Sequence, residues 1–232
     1  MSTDPLPSSS PDASGVRRRD LVAGAAGVVV VGVSRAAGED SRGRDAIGVQ
    51  GGASGLQLIG RIDQVGNALT GYGYFTRLEG LSLDQTYFIG GVRDQSTARF
   101  TFFSTATVAS IQTLDTLIVA IASGRVDFFL RPMAGASFDQ PSSFAVGERI
   151  AADDASLQNV LNVTSPGIGV STVFADLRRT AVQDFFLDGT RYHLGRVGLR
   201  SRLVAPGKSH RIEPVAPTSM EIVAGNITNP DS

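Results

Sequence analysis

Hydrophobic and polar residues alternate with a period of two along most of the chain from Leu56 onward. The alternating stretches are rich in Val, Ile, Thr, Phe and Tyr, and Gly, Asp, Asn, Ser and Pro separate them. This pattern is typical of half-buried β-strands, and no stretch of helical length has a 3.6-residue period. We therefore predict an all-β fold. The predicted strands span residues 56–65, 68–78, 97–112, 115–123, 125–131, 146–151, 156–164, 169–179, 182–187, 190–204 and 218–223.

Short turn sequences between these strands indicate antiparallel neighbours. Asp188-Gly189 lies between two short apolar runs, and this dipeptide favours the positive φ angles of a tight hairpin. Gly66-Asn67 and Ser123-Gly124 are predicted to form similar turns. Because short turns join antiparallel strands, whereas parallel strands need long crossovers, we predict an antiparallel meander.

Some strands are apolar on both faces. Phe100 and Phe102 share one face of their strand, whereas Phe103 lies on the other, and residues 118–121 are apolar on both faces. Such strands are expected in a closed barrel of about eight or more strands, in which another layer or a second subunit covers the outside. In residues 70–74, Gly71 and Gly73 alternate with tyrosines, which is expected where a strand bends or where a group packs against bare backbone.

The N-terminal region has a different composition. Arginines 17–19 precede a Gly- and Ala-rich apolar run at residues 21–33, which as a helix would extend about 20 Å. Because a hydrocarbon core is about 30 Å thick, no stable membrane span is predicted. Arg18-Arg19-Asp20-Leu21-Val22 resembles the bacterial twin-arginine export motif.

The resemblance implies that the twin-arginine translocation machinery recognises Arg18 and Arg19, and that the folded protein becomes periplasmic or secreted. Ser34-Arg35-Ala36 has small residues where a signal peptidase would cleave after Ala36. We therefore predict a signal peptide at residues 1–36 and a flexible Gly-rich linker at 37–54. Residues 55–232 would form a single β-barrel domain with a C-terminal extension.

Three segments of the predicted meander resemble a known barrel class. They are residues 97–103 (Thr-Ala-Arg-Phe-Thr-Phe-Phe), 124–129 (Gly-Arg-Val-Asp-Phe-Phe) and 189–195 (Gly-Thr-Arg-Tyr-His-Leu-Gly). With their hairpins they resemble the eight-stranded barrels of the allene oxide cyclase and dirigent type, and more loosely those of the lipocalin-like class. The resemblance covers residues 56–204. No matching catalytic motif accompanies it, so it assigns no catalytic residue.

Composition argues against several functions. The chain has 21 basic and 22 acidic residues and a net charge of −1, so it has no electrostatic footprint for nucleic acid. It has no cysteine, and its only histidines are His193 and His210, so we predict no metal site and no cofactor. Asp153-Asp154 is predicted to be a solvated turn. The segment 205–209 (Ala-Pro-Gly-Lys-Ser) is predicted to be a surface turn, because the first glycine of a phosphate-binding loop is missing.

The candidate ligand-binding residues lie on the predicted strands. Arg196, Arg200 and Arg202 share one face of a strand, where they are either solvated or placed to hold the carboxylate of an amphipathic ligand. Tyr72, Tyr74 and His193 complete the candidate set.

Three classes of function remain open from the sequence. We expect a non-enzymatic binding or accessory protein that takes a small apolar ligand or a partner in the barrel interior. The alternatives are a self-assembling structural envelope protein, in which residues 118–121 would make homo-oligomer contacts, and a cyclase or isomerase of the allene oxide cyclase type that holds an apolar substrate in one conformation. The sequence leaves open whether the chain is an enzyme.

Overall fold

The computed structural model describes residues 45–47, 54–211 and 219–229. The predicted signal, with Arg18 and Arg19, lies outside the described residues. Eight antiparallel strands close into a barrel, which confirms the predicted fold class. Within the described part of the chain, no helix combines the length and the apolar character needed to cross a membrane.

The strands follow one another around the barrel in chain order, so the barrel is a simple meander. Its order is β2-β3-β4-β5-β6-β7-β10-β11, with β11 pairing back to β2, while β1, β9 and β8 form a separate sheet. The elements are β1 Asp45–Ile47, β2 Ser54–Val65, β3 Ala68–Leu78, α1 Leu83–Thr86, β4 Phe100–Leu114, β5 Leu117–Leu130, a 3-10 helix Pro141–Ala145, β6 Glu148–Ser165, β7 Ile168–Val182, β8 Asp184–Leu187, β9 Thr190–Leu194, β10 Arg200–Arg211 and β11 Ser219–Thr228.

Two of the predicted turns are confirmed, and one is wrong. Asp188 and Gly189 have φ angles of 51° and 81°, as a tight hairpin between β8 and β9 requires, and Gly66 has a φ of 57° between β2 and β3. Ser123-Gly124 is not a turn, because both residues lie inside β5. A Cβ atom on Gly124 would lie 2.6 Å from the Cα of Ala106. The glycine therefore serves the close approach of β4 and β5.

Other polar segments also belong to strands. Asp153 and Asp154, predicted as a solvated turn, lie inside β6, where the side chain of Asp153 is buried. Residues 205–209, predicted as a surface turn, lie in the middle of β10. The predicted strand 190–204 is divided into β9 and β10 where Gly195 and Gly198 have positive φ angles. Short polar segments are therefore poor predictors of turns in this barrel, because its long strands include such segments.

The two ends of the barrel differ. The mouth end carries the turns at residues 66–67, 115–116 and 166–167, and the opposite, closed end carries the long connections 79–99, 131–147 and 183–199. The β8–β9 hairpin packs into the closed end, where the ring centroids of Phe185 and Phe100 lie 5.8 Å apart. β1, within the predicted linker, pairs in parallel with β9 on this hairpin.

A buried ion pair fastens the hairpin to the barrel wall. Arg179 of β7 pairs with Asp153 of β6, and both side chains are almost fully buried. The guanidinium also donates to the backbone carbonyl of Leu194 and lies over the ring of Phe128, 5.0 Å from its centroid. Arg179 therefore links the barrel wall at β6 and β7 to the β8–β9 hairpin.

A second layer covers part of the outer wall, as expected from strands that are apolar on both faces. Residues 131–147, here called the cover segment, pack over β3 and β4. The ring of Phe144 lies 5.5 Å from that of Tyr72, and the Thr101 hydroxyl donates a buried 2.7 Å hydrogen bond to the Phe144 carbonyl. Val119 and Ile121 of the predicted oligomer contact lie on the outer side of β5, where Ile121 is exposed.

Candidate functional site

The barrel lumen contains three cavities in a row. The mouth cavity, of about 360 Å³, lies at the mouth end, and middle and inner cavities of about 70 and 60 Å³ lie deeper. The mouth and middle cavities share lining residues from β2, β5, β6 and β11, so they adjoin at these residues. Most of the surface that lines the mouth cavity is apolar, and it includes the side chains of Ile111, Ile118, Leu161, Val163 and Ile168.

The depth of the lumen follows from glycines on its inner wall. Phe102 of β4 points inward over Gly73 of the neighbouring strand β3 and over Gly60 of β2, the next strand around the barrel. Gly73 lies in the segment 70–74, where close packing against bare backbone was predicted. A Cβ atom on Gly60 or Gly73 would lie 2.8 or 2.7 Å from Cζ of Phe102. These glycines give the phenyl ring room to fill the innermost section, so the wider space is left toward the mouth.

A belt of polar side chains surrounds the boundary between the mouth and middle cavities. Glu221 on β11 and Asn159 on β6 line both cavities. Both point inward because each shares its strand parity with apolar lumen residues, Val223 in one strand and Leu157 in the other. The polar belt comprises Gln64, Asn159, Ser171, Ser209, Ser219 and Glu221.

Hydrogen bonds inside the belt connect strands across the lumen. The side-chain amide of Asn159 donates to Glu221 Oε1 at 2.6 Å. Between β11 and β2, the Ser219 hydroxyl donates to Gln64 Oε1 at 3.1 Å, and the Gln64 amide donates to the Gly66 carbonyl at the turn. The Asn159 bond holds the carboxyl group of Glu221, and the other two bonds tie β11 to β2 and β2 to its turn.

Several buried polar atoms of the belt lack a partner. Glu221 Oε2, Asn159 Oδ1 and Ser171 Oγ make no hydrogen bond to any described residue. The Ser171 hydroxyl lies close to the carboxyl group but outside hydrogen-bonding geometry. Because an unpaired buried polar atom costs about 1–3 kcal/mol, three of them at one place mark a position where a further polar group would be stabilised.

Burial also favours the neutral form of Glu221. The side chain is 7% exposed, and burial raises the pKa of its carboxyl above the ordinary value of 4.5. The amide of Asn159 opposes this rise through its hydrogen bond, and the nearby polar hydroxyls of Ser171 and Ser209 act in the same direction. A lone acid held this way can donate a proton in a hydrogen bond or transfer it.

The structure places the predicted arginines away from this site. Arg196, Arg200 and Arg202 are exposed, and none of them lines the three cavities. Arg202 lies on the outer wall, 3.6 Å from Asp176 Oδ1 and over the ring of Phe174. Leu203, at the opposite parity, lines the inner cavity, so the predicted alternation of charged and apolar faces is present in β10.

The remaining predicted residues also lie elsewhere. Tyr72 and Tyr74 are buried on the outer wall beneath the cover segment, and the Tyr72 hydroxyl donates a 2.7 Å hydrogen bond to Asp63. Burial, reinforced by Asp63, raises the pKa of Tyr72. His193 lies in β9 of the closed-end hairpin and pairs in register with Asp184. The structure thus does not bring the six candidate residues together.

The polar belt was missed because its residues are unremarkable singly. A signal was nevertheless present: Glu221 and Asn159 are polar residues on the parity that also carries apolar side chains, such as Val223 and Leu157, in their strands. A buried charged group at such a position is the informative exception to hydrophobic patterning. Only the closure of the barrel shows that both positions face one lumen.

Comparison with protein-family models, with curated proteins and with solved structures found no match.

Proposed function

We propose that the chain is a binding protein that holds a small, largely apolar ligand in the barrel lumen. The observation that carries this proposal is the mouth cavity of about 360 Å³, which is lined by aliphatic side chains and leads to the polar belt. Ligand sites are commonly concave and apolar with a few polar groups that fix orientation. Burial of apolar surface at about 25 cal/mol per Å² supplies the affinity, from which the costs of association are subtracted.

A dye-binding experiment with a matched pair of variants tests the proposal. N-phenylnaphthylamine is uncharged, and its fluorescence rises in apolar surroundings. Ala120 faces the lumen and lines both the mouth and middle cavities, whereas Ile121, the next residue, is exposed on the outer wall. We expect saturable binding to the wild-type chain and to Ile121→Trp, and strongly reduced binding to Ala120→Trp.

Equal dye binding by the two variants would place the dye outside the lumen and count against the proposal. Circular dichroism checks that both variants retain the barrel. Native mass spectrometry of the chain purified from its source compartment reads two further quantities, the subunit count and the mass of any retained ligand. A ligand-free oligomer would instead favour a structural, self-assembling role.

A cyclase or isomerase role is a second candidate, and the buried carboxyl of Glu221 favours it. A single acid in a largely apolar lumen could stabilise charge that develops on a reacting oxygen atom, while the walls hold the substrate in one conformation. Incubation with an allene oxide tests this role. Formation of one enantiomer of the cyclised product, lost in Glu221→Leu, would support it, and a racemic product at the spontaneous rate would oppose it.

The proposed location of this activity is outside the cytoplasm. Arg18-Arg19 at the foot of the apolar run supports export by the twin-arginine route, in which the protein folds before translocation. The ligand would then be one that reaches the periplasm or the surrounding medium.

A further inference from the structure

We infer that the lumen ligand is an uncharged molecule with a hydroxyl group, which pairs with Glu221 and Asn159 while apolar parts of the molecule lie on either side. This inference rests on the proposed function and specifies the ligand class of the same site.

The first argument is the inventory of donors and acceptors at the two side chains. The Asn159 amide donates to Glu221 Oε1, which leaves Oε2 of the carboxyl and Oδ1 of the amide without partners among the described residues. In the neutral acid, Oε2 carries the proton and is a donor, whereas Oδ1 is an acceptor only. The complementary group accepts one hydrogen bond and donates another, which is what a hydroxyl group does.

The second argument is charge. Glu221 is buried, and no cation of the described chain contributes to the pKa of its carboxyl, so ionisation is disfavoured there. Arg211, the only cation among the described residues that line the mouth cavity, is exposed and already has another interaction partner. Arg125, which lines the middle cavity, is paired with Asp127 at 3.0 Å. An anionic ligand group beside Glu221 would be desolvated without a counter-charge, so the site disfavours carboxylates.

The third argument is position. Glu221 and Asn159 line both the mouth and middle cavities, so the belt has free volume on both of its sides. The mouth side offers about 360 Å³ and the middle side about 70 Å³. A ligand that fills both cavities would carry its hydroxyl group between two apolar parts, and the larger apolar part would lie toward the mouth.

A ligand series with a constant carbon skeleton tests the inference. Menthol carries a hydroxyl group, menthone a carbonyl group, menthane no oxygen, and the menthane carboxylate anion a charge. Displacement of N-phenylnaphthylamine from the full-length chain at neutral pH ranks the four compounds. We expect menthol to bind about tenfold more tightly than menthane, because two buried hydrogen bonds are gained, with menthone intermediate and the anion weaker than menthol.

Variants of Glu221 assign this preference to the belt. Glu221→Gln keeps a neutral donor and should keep the preference for menthol, whereas Glu221→Leu should bind menthol and menthane equally. Glu148→Leu, which removes an exposed glutamate from the start of β6, is the matched control and should rank the compounds as the wild-type chain does.

The outcomes separate the two proposals. If menthane displaces the dye as well as menthol does from the wild-type chain, the hydroxyl inference is wrong and the lumen remains a binding site. If the anion binds most tightly, the inference is also wrong. If neither the dye nor any of the four compounds binds, the proposed function itself fails. The wild-type ranking decides the matter even if Glu221→Leu does not fold.

Discussion

Asn159 of β6 and Glu221 of β11 are joined by a 2.6 Å hydrogen bond although two other strands, β7 and β10, separate them in the barrel wall. The bond therefore spans a chord of the lumen, whereas the backbone ladder follows the circumference. It links the two walls and places a carboxyl group in the ligand path, so it contributes both to stability and to the proposed binding site.

Replacing Glu221 by Gln should change how stability depends on pH. Because burial raises the pKa of this carboxyl above 4.5, the folded chain retains a proton that the unfolded chain loses as the pH rises. The wild-type free energy of unfolding should therefore fall relative to Glu221→Gln as the pH rises from about 4.5 to the folded-state pKa, and stay lower above it. Urea denaturation across this range measures the difference. A wild-type chain that gains stability relative to the variant would contradict the assigned direction.

Asn159→Ala should leave Glu221 Oε1 without the side-chain amide that donates to it. We expect a loss of about 1–3 kcal/mol in the free energy of unfolding, the usual cost of an orphaned buried polar group. Gln158→Ala, at the exposed neighbouring position of β6, is the matched control and should change stability by less than about 0.5 kcal/mol. Similar losses in the two variants would mean that the chord bond does not stabilise the barrel.

Arg179→Met should destabilise the closed end, because Asp153 would then be buried without its counter-charge. The expected loss is about 3–5 kcal/mol, and most of it should be recovered in the double variant with Asp153→Leu. The exposed pair of Arg202 and Asp176 is the comparison, since Arg202→Met should cost about 1 kcal/mol or less. Denaturation midpoints of the four chains test the prediction, which fails if the two arginine variants behave alike.

The export prediction concerns the N-terminal motif. Changing Arg18 and Arg19 together to Lys should abolish appearance of the chain outside the cytoplasm, because the resemblance to the twin-arginine signal depends on that pair. Arg17→Lys, the adjacent arginine outside the motif, should leave export intact. Fractionation followed by immunoblotting reads the location, and export of the double variant at wild-type level would refute the twin-arginine interpretation.

The fold was predictable because alternation and turn chemistry are local properties. The period-two pattern, the Asp188-Gly189 dipeptide between short apolar runs and the two-sided apolar strands all indicated an antiparallel barrel. Ser123-Gly124 misled because a glycine that permits close strand approach and one that permits a turn look alike in a sequence.

The candidate site was less predictable because it depends on closure. Arg196, Arg200 and Arg202 share one parity, but parity alone does not show which face of a strand lines the lumen. Asn159 and Glu221 are 62 residues apart in the chain, and only the barrel order brings their side chains together. The available signal was a glutamate, Glu221, at a strand position whose parity also carries apolar residues. Its partner Asn159 is identified only from the three-dimensional structure.

The chain enters the barrel at Ser54 and leaves it at Thr228, and these residues pair with each other at the closed end. An attachment at Ser54 or Thr228 would therefore lie at the closed end, away from the mouth. The domain could be tethered to a sensor surface, or joined to a reporter protein, with its ligand entrance left facing the solution.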